Sequence, residues 1–335
     1  MSSTLVRVGL DLDGSLESMS NSMFDLATAL DERGDLQLCR FRTRTPRESP
    51  EEARLALRAF WYPWWCHSRG RAIDTMLAPL DVIHVAGRAM PPTRDVPLLI
   101  SVDDLRPLRE EHGHQRVVQL QRAVTRGAVL VVSSRAARHE VMAALGLERP
   151  EIVVVRPPVG HVAPTTNGTA LVVSVTGNTE RFVALSKDLQ AFVARHHASL
   201  IVVASTAVGQ GLRSTGVLAT FVDRRRAAEA LAEARCVVYI SDGARFPSFA
   251  IAALAAGVPT LARATLINRE LLSGAAALIH DEAEVMGALE DLWSNEPRRA
   301  ILVAAGLARA ADFSPWNVAS AYAGLYADVA KRSRV

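Results

Sequence analysis

The chain of 335 residues is poor in lysine, cysteine and aromatic side chains. Its only lysines are Lys187 and Lys331, against 36 arginines, so any lysine-dependent chemistry has two addresses. The three cysteines, Cys39, Cys66 and Cys236, are odd in number and far apart, which excludes a disulfide framework and zinc-type spacing. Aromatics make up 5%, so the core must be built mainly from Ala, Val and Leu. The longest apolar stretch, Phe249 to Ala262, is broken by Gly257 and Pro259 and is too short to cross a bilayer. The N-terminus lacks a basic segment followed by an apolar one. Net charge is +3, and neither half carries the basic excess of a dedicated nucleic-acid binder. Together these absences predict a cytoplasmic protein that binds no nucleic acid.

What is present is regular alternation. Leu5–Leu10, Val82–Val85, Leu98–Val102, Ala128–Val132 and Ile152–Val155 are short apolar runs, separated by helical patterns such as Ser22–Glu32, Arg116–Arg126 and Ala136–Leu145. The alternation pauses at Arg156–Thr169, which holds three prolines and two glycines. It resumes with runs at Leu171–Val175, Leu200–Val203, Leu218–Val222, Cys236–Ile240, Thr260–Ala262 and Ala277–Ile279. Strand, helix, strand repetition makes a parallel sheet covered on both faces. Two α/β domains are therefore expected, residues 1–160 and 161–315, with a closing helix in 316–335.

Several stretches resemble glycosyltransferase family 4. They are Asp81–Leu105, Ala128–Val159, Val237–Thr260, Leu272–His280 and Gly306–Tyr326, the last with Phe313, Ser314 and Trp316. The resemblance implies the GT-B fold, two Rossmann-like domains with parallel sheets facing a central cleft. The N-terminal domain would take the acceptor, the C-terminal domain would take the nucleotide sugar, and the last helix would cross back to the first domain. It also implies a hexosyltransferase-type activity that uses the nucleotide sugar as substrate, with no further cofactor and no metal.

The positions that carry the family's chemistry depart from its pattern. Two glutamates that bond donor hydroxyls align with Ala244 and Ala252, and the cations that neutralise the donor diphosphate align with Phe182 and Val183. A histidine near the transferring carbon aligns with Asp103, beside Asp104, so one carboxyl pKa should rise by like-charge repulsion. The N-terminal glycine-rich loop reads Asp13-Gly14-Ser15-Leu16-Glu17, and Pro247 replaces a glycine at the start of the donor helix. The resemblance then leaves Asp103 and Asp104 as catalytic candidates. The donor-binding candidates are Gly14, Ser15, Gly177, Arg181, Lys187, Phe221, Val222, Asp242, Gly243, Arg245, Phe246 and Ser248, with Arg181, Lys187 and Arg245 replacing the missing cations. A catalytically inactive GT-B homologue that binds a partner is the alternative.

Other motifs invite separate readings. Val8–Leu16 resembles the first motif of haloacid-dehalogenase-type phosphatases, with Asp11 as nucleophile and Asp13 as acid/base. Phe60–Cys66 concentrates Trp61, Trp64 and Trp65 near Arg54, Arg58, Arg69 and Arg71. It reads either as a plug or as a surface for a protein partner or the inner face of a membrane. His112, His114, His196 and His197 have no carboxylate or cysteine at ligand spacing, and Arg224–Arg226 reads as a helix flank.

Overall fold

A computed structural model describes residues 5–13, 22–86, 89–109, 114–148, 150–165, 168–177 and 179–332. The chain divides into two compact units. The first is built on residues up to Pro158 together with Pro315–Val335, and the second on Val159–Ser314.

The first unit contains β1 (Val6–Asp11), β2 (Leu36–Phe41), β3 (Val82–Ala86), β4 (Leu98–Val102), β5 (Val129–Val132) and β6 (Ile152–Val154). They form one parallel sheet in the order β2-β1-β3-β4-β5-β6. β3, β4 and β5 are buried throughout, as continuous Val, Leu and Ile runs require. β2, with the sequence LQLCRF, has no continuous apolar run to mark it as a strand. It is an edge strand in which only Phe41 is fully buried, and Gln37 and Arg40 interrupt any apolar run.

The helix Pro315–Arg332 covers this sheet by placing Val318, Ala319, Tyr322, Tyr326 and Val329 in its core. A buried polar chain fixes the contact. His84 of β3 meets the Tyr326 hydroxyl at 2.8 Å through Nδ1 and the Ser101 hydroxyl at 2.9 Å through Nε2. Burial pulls the His84 pKa down to about 3, so the imidazole is neutral and both ring nitrogens are satisfied.

The second unit contains β7 (Ala170–Thr176), β8 (Leu200–Ala204), β9 (Thr220–Asp223), β10 (Ala234–Ser241), β11 (Thr260–Arg263) and β12 (Ala277–Ile279). Its parallel order is β12-β11-β10-β7-β8-β9. The direction of winding reverses between β7 and β10, and such a switch point opens a crevice at the carboxyl ends of the strands. Phe182, Leu189 and Phe192 of the helix Thr179–Arg195 pack on one face with Trp293. The helix Ser248–Ala255 is buried on nearly every side and lies against Glu296–Ala311, where Gly306 brings the backbone close to Leu254. Val159 donates its N–H to the Phe313 carbonyl at 2.9 Å, which ties the unit's first residue to its last turn.

Candidate functional site

In the second unit, the switch point gathers Thr176 and Gly177 after β7 with Ser241, Asp242 and Gly243 after β10. Gly177 and Gly243 have φ of +76° and +71°, a backbone conformation that glycine adopts without cost. Gly243 is also sterically obligatory, because a Cβ there would lie 2.7 Å from Thr265 Cγ2 and 2.8 Å from Thr265 Cβ. Thr265 cannot retreat freely, since its hydroxyl accepts the Asn268 N–H at the start of the helix Leu266–Leu272. Gly243→Ala is expected to destabilise the second unit by about 2–4 kcal/mol, from left-handed strain plus the forced shift, measured as a lower midpoint in urea unfolding. An unchanged midpoint would contradict this geometry.

One cation at this edge is Arg224, which in sequence reads as part of a helix flank. Asp223 ends β9 and caps the turn by accepting the Arg225 N–H at 3.0 Å, and this directs Arg224 inward. Its guanidinium donates to the Val175 carbonyl at 3.2 Å and lies 3.4 Å from the Thr176 hydroxyl. Arg224 is buried, and its charge lowers the pKa of the buried Tyr239 phenol against the dominant upward push of desolvation. The signal in the sequence was its place as the first residue after a strand's carboxyl end.

The other donor-site candidates are scattered. Arg181 is in the first turn of its helix and pairs with Glu282 at 3.0 Å. Lys187 is exposed, eight residues along the same helix from Thr179, or about 12 Å at 1.5 Å per residue. It is therefore not drawn into the strand-end group. Phe221 and Val222 are half-buried on the edge strand β9, with Arg213 stacked over the Phe221 ring at 5.0 Å. Asp242 accepts the Ala244 N–H at 2.9 Å, Arg245 is buried, and Phe246 packs on Phe313 with ring centroids 5.8 Å apart. Ser248 begins its helix behind Pro247. Gly14 and Ser15 lie outside the described residues. A cavity below Arg181 and Ser241, at the ends of β10 to β12, measures about 30 Å³ and has room for about one water.

In the first unit the titratable candidates follow β4 and β1. Asp103 is half-buried, and desolvation plus the neighbouring charge of Asp104 push its pKa up to about 7. Burial raises the nearby Tyr322 phenol, and the Asp103 carboxyl adds to that rise. Asp104 is committed elsewhere. It accepts the Arg106 N–H at 3.0 Å and pairs with the Arg106 guanidinium at 2.6 Å. Asp11 is fully buried. Its Oδ1 accepts the Asp13 N–H at 3.0 Å and the Thr43 N–H at 3.2 Å, and its Oδ2 accepts the Thr43 hydroxyl at 2.7 Å. Asp13 binds the Arg44 and Thr45 N–H groups and the Thr45 hydroxyl. Arg42 lies 3.8 Å from Asp13 and bonds Glu52 at 2.9 Å. These acids clamp the end of β1 to the loop after β2. Among the described residues no group of three metal-ligating side chains occurs, and the arrangement of Asp11 and Asp13 does not support the phosphatase reading.

No family model matches the chain, and no curated protein sequence matches it. Among solved structures it is similar to sucrose-phosphate synthase from Thermosynechococcus elongatus, at 16% identity over 97% of this chain and 99% of that one, with TM-score 0.69. It is also similar to WaaG, a glycosyltransferase involved in lipopolysaccharide biosynthesis, at 14% identity over 96% and 99%, with TM-score 0.66. Anabaena HepE, solved with UDP and glucose, shares 14% identity over 97% and 100%, with TM-score 0.63. The fold is GT-B. At these identities the likeness is one of fold, and the chemistry must be read from the side chains.

Three of the positions that the family resemblance singles out are buried. Phe182 and Ala252 have no exposed surface, and Ala244 has almost none. Phe182 is a core residue. The tryptophans divide. Trp65 is fully buried with its indole N–H on the Arg71 carbonyl at 2.9 Å, Trp61 is half-buried against Phe60, and Trp64 is exposed. Trp65 is therefore a plug rather than a docking residue. Leu57 and Phe60 are the exposed apolar neighbours of Trp64. His196 pairs with Glu290 at 3.0 Å beside Phe192 and Trp293, a packing role. His112 lies outside the described residues.

Proposed function

We propose that the protein is a divergent glycosyltransferase whose second unit holds a nucleotide-sugar donor at the carboxyl edge of its sheet. The observation that carries this is the coincidence, at the β7/β10 switch point, of an inward-directed arginine with two left-handed glycines. That combination suits a diphosphate, because the backbone can approach closely and a fixed cation offsets the charge. The bound UDP and glucose of HepE support the same class of ligand. Arg224 takes the main electrostatic part, with Arg181, Arg245 and the Gly243 loop alongside. Asp103 is the group that would take the acceptor hydroxyl's proton, and Asp104 positions its loop through Arg106. The exposed face of Leu57, Phe60 and Trp64 would rest on a protein partner or a membrane surface. No helix among the described residues is long and apolar enough to cross one.

The test is a thermal-shift series with UDP-, GDP- and ADP-sugars and the bare diphosphates. Ligand at 100 times its dissociation constant adds about 2.7 kcal/mol, a clear shift. Arg224→Met is expected to weaken binding of the responding nucleotide by at least tenfold. No response to any nucleotide at millimolar concentration would overturn the proposal.

A second reading, binding without transfer, is favoured by one observation. The positions of the two donor glutamates and the first diphosphate cation are buried apolar residues. A donor that binds but releases no diphosphate across a broad acceptor panel would select it.

A further inference from the structure

A groove of about 370 Å³ lies wholly within the first unit, between the turn that follows the helix Arg58–Trp65 and the start of the helix His114–Thr125. His67, Arg69, His114 and Arg122 line it with Gln115 and Gln119, and none of its described lining residues is acidic. His114, Gln115, Val118, Gln119 and Arg122 share one face of the helix His114–Thr125, so that face forms one wall of the groove. The turn is held firmly. Arg122 donates to the His67 carbonyl at 2.8 Å, Arg126 donates to the Ser68 carbonyl, and Gln119 lies 3.4 Å from the His67 ring. Ser68 is buried in the left-handed region at φ +51°, a conformation such bonds sustain. The groove thus combines two guanidinium groups and two imidazoles on a braced frame.

We propose that this groove binds a phosphate group carried by a soluble acceptor molecule. A phosphate dianion offers more charge and more acceptor oxygens to two guanidinium and two imidazole groups than a carboxylate does, and 370 Å³ is enough for a phosphorylated sugar. Only the word acceptor rests on the glycosyltransferase reading; the anion site itself does not. The donor test above depends on nucleotides and Arg224, so failure of one leaves the other standing.

The experiment titrates the full chain, labelled with carbon-13 histidine, with glucose 6-phosphate, inorganic phosphate, glucose and acetate, and separately with vesicles containing phosphatidylglycerol. The expected result is a saturable shift of the His67 and His114 ring signals with both phosphates. Glucose and acetate leave the signals in place. Arg69 is exposed, so Arg69→Gln leaves the fold intact and is expected to weaken glucose 6-phosphate binding about tenfold, while Arg69→Lys retains much of it. Absence of saturable shifts, an equal response to acetate, or affinity unchanged in Arg69→Gln would overturn the proposal. A response to the anionic vesicles alone would overturn it in favour of a lipid headgroup.

Discussion

Asp103→Asn is expected to lower the rate of sugar transfer by about 10²–10⁴-fold, the usual contribution of a positioned acid or base. Burial and Asp104 hold the Asp103 carboxyl at about 7. A base must be ionised to accept a proton, so the native rate should rise as pH passes through about 7 and then level. In the asparagine variant that rising limb should vanish along with the rate. Asp104→Asn removes the charge that helps raise Asp103, so the limb should move to lower pH. It also loosens the pair with Arg106, which positions the loop. Product formation measured from pH 5 to 9 checks all three expectations. A variant with native rate and native profile would remove Asp103 from the mechanism.

Asp11→Ala is expected to destabilise the first unit by about 3 kcal/mol. It strands the Asp13 N–H, the Thr43 N–H and the Thr43 hydroxyl in a site with no solvent access. For a unit of this size the loss corresponds to roughly 6–12 °C in melting temperature. Asp11→Asn behaves differently. Burial, with the charge of Asp13 second, raises the Asp11 carboxyl from 3.8 to about 7. The folded state therefore binds its proton more tightly than the unfolded state does. Stability from this group is fully present below about pH 4 and is lost as pH rises to about 7. The asparagine amide keeps an acceptor for the two N–H groups and donates to Thr43, and it carries no ionisation penalty. At pH 8.5 it should be at least as stable as the native chain, and its stability should vary less with pH. Urea unfolding of the three proteins at pH 5 and 8.5 decides it. Equal midpoints for the alanine variant and the native chain would show that the clamp contributes nothing.

The sheets were legible because their strands are buried on both faces. Leu98–Val102 and Leu171–Val175 are apolar but for one serine each, and such a run needs no knowledge of its partners. β2 escaped for the opposite reason. As an edge strand it needs one good face, and Arg40 is paired with Asp31 and Glu51 at the rim. The candidate site was legible only as a list of positions. Family alignment pointed to Lys187 by its spacing from Val183, but helix geometry carries it away from the strand ends. Arg224 does not stand out in sequence, because a run of three arginines reads as a solvated flank. Only the capping of Arg225 by Asp223 turns the first of the three inward.

Periodicity and punctuation by themselves determined the two α/β halves, the pause near residue 160 and the closing helix, because each follows from local burial and backbone preference. They also determined that Gly243 follows a strand end. Tertiary structure decided the rest. It made Gly243 obligatory through Thr265, turned Trp65 into a plug, and buried Ala252 and Phe182. It also assembled His67, Arg69, His114 and Arg122 from segments about 50 residues apart. The physical reason is common to all of these. A strand or helix is set by neighbours in sequence, whereas the charge, burial and pKa of a side chain are set by neighbours in space.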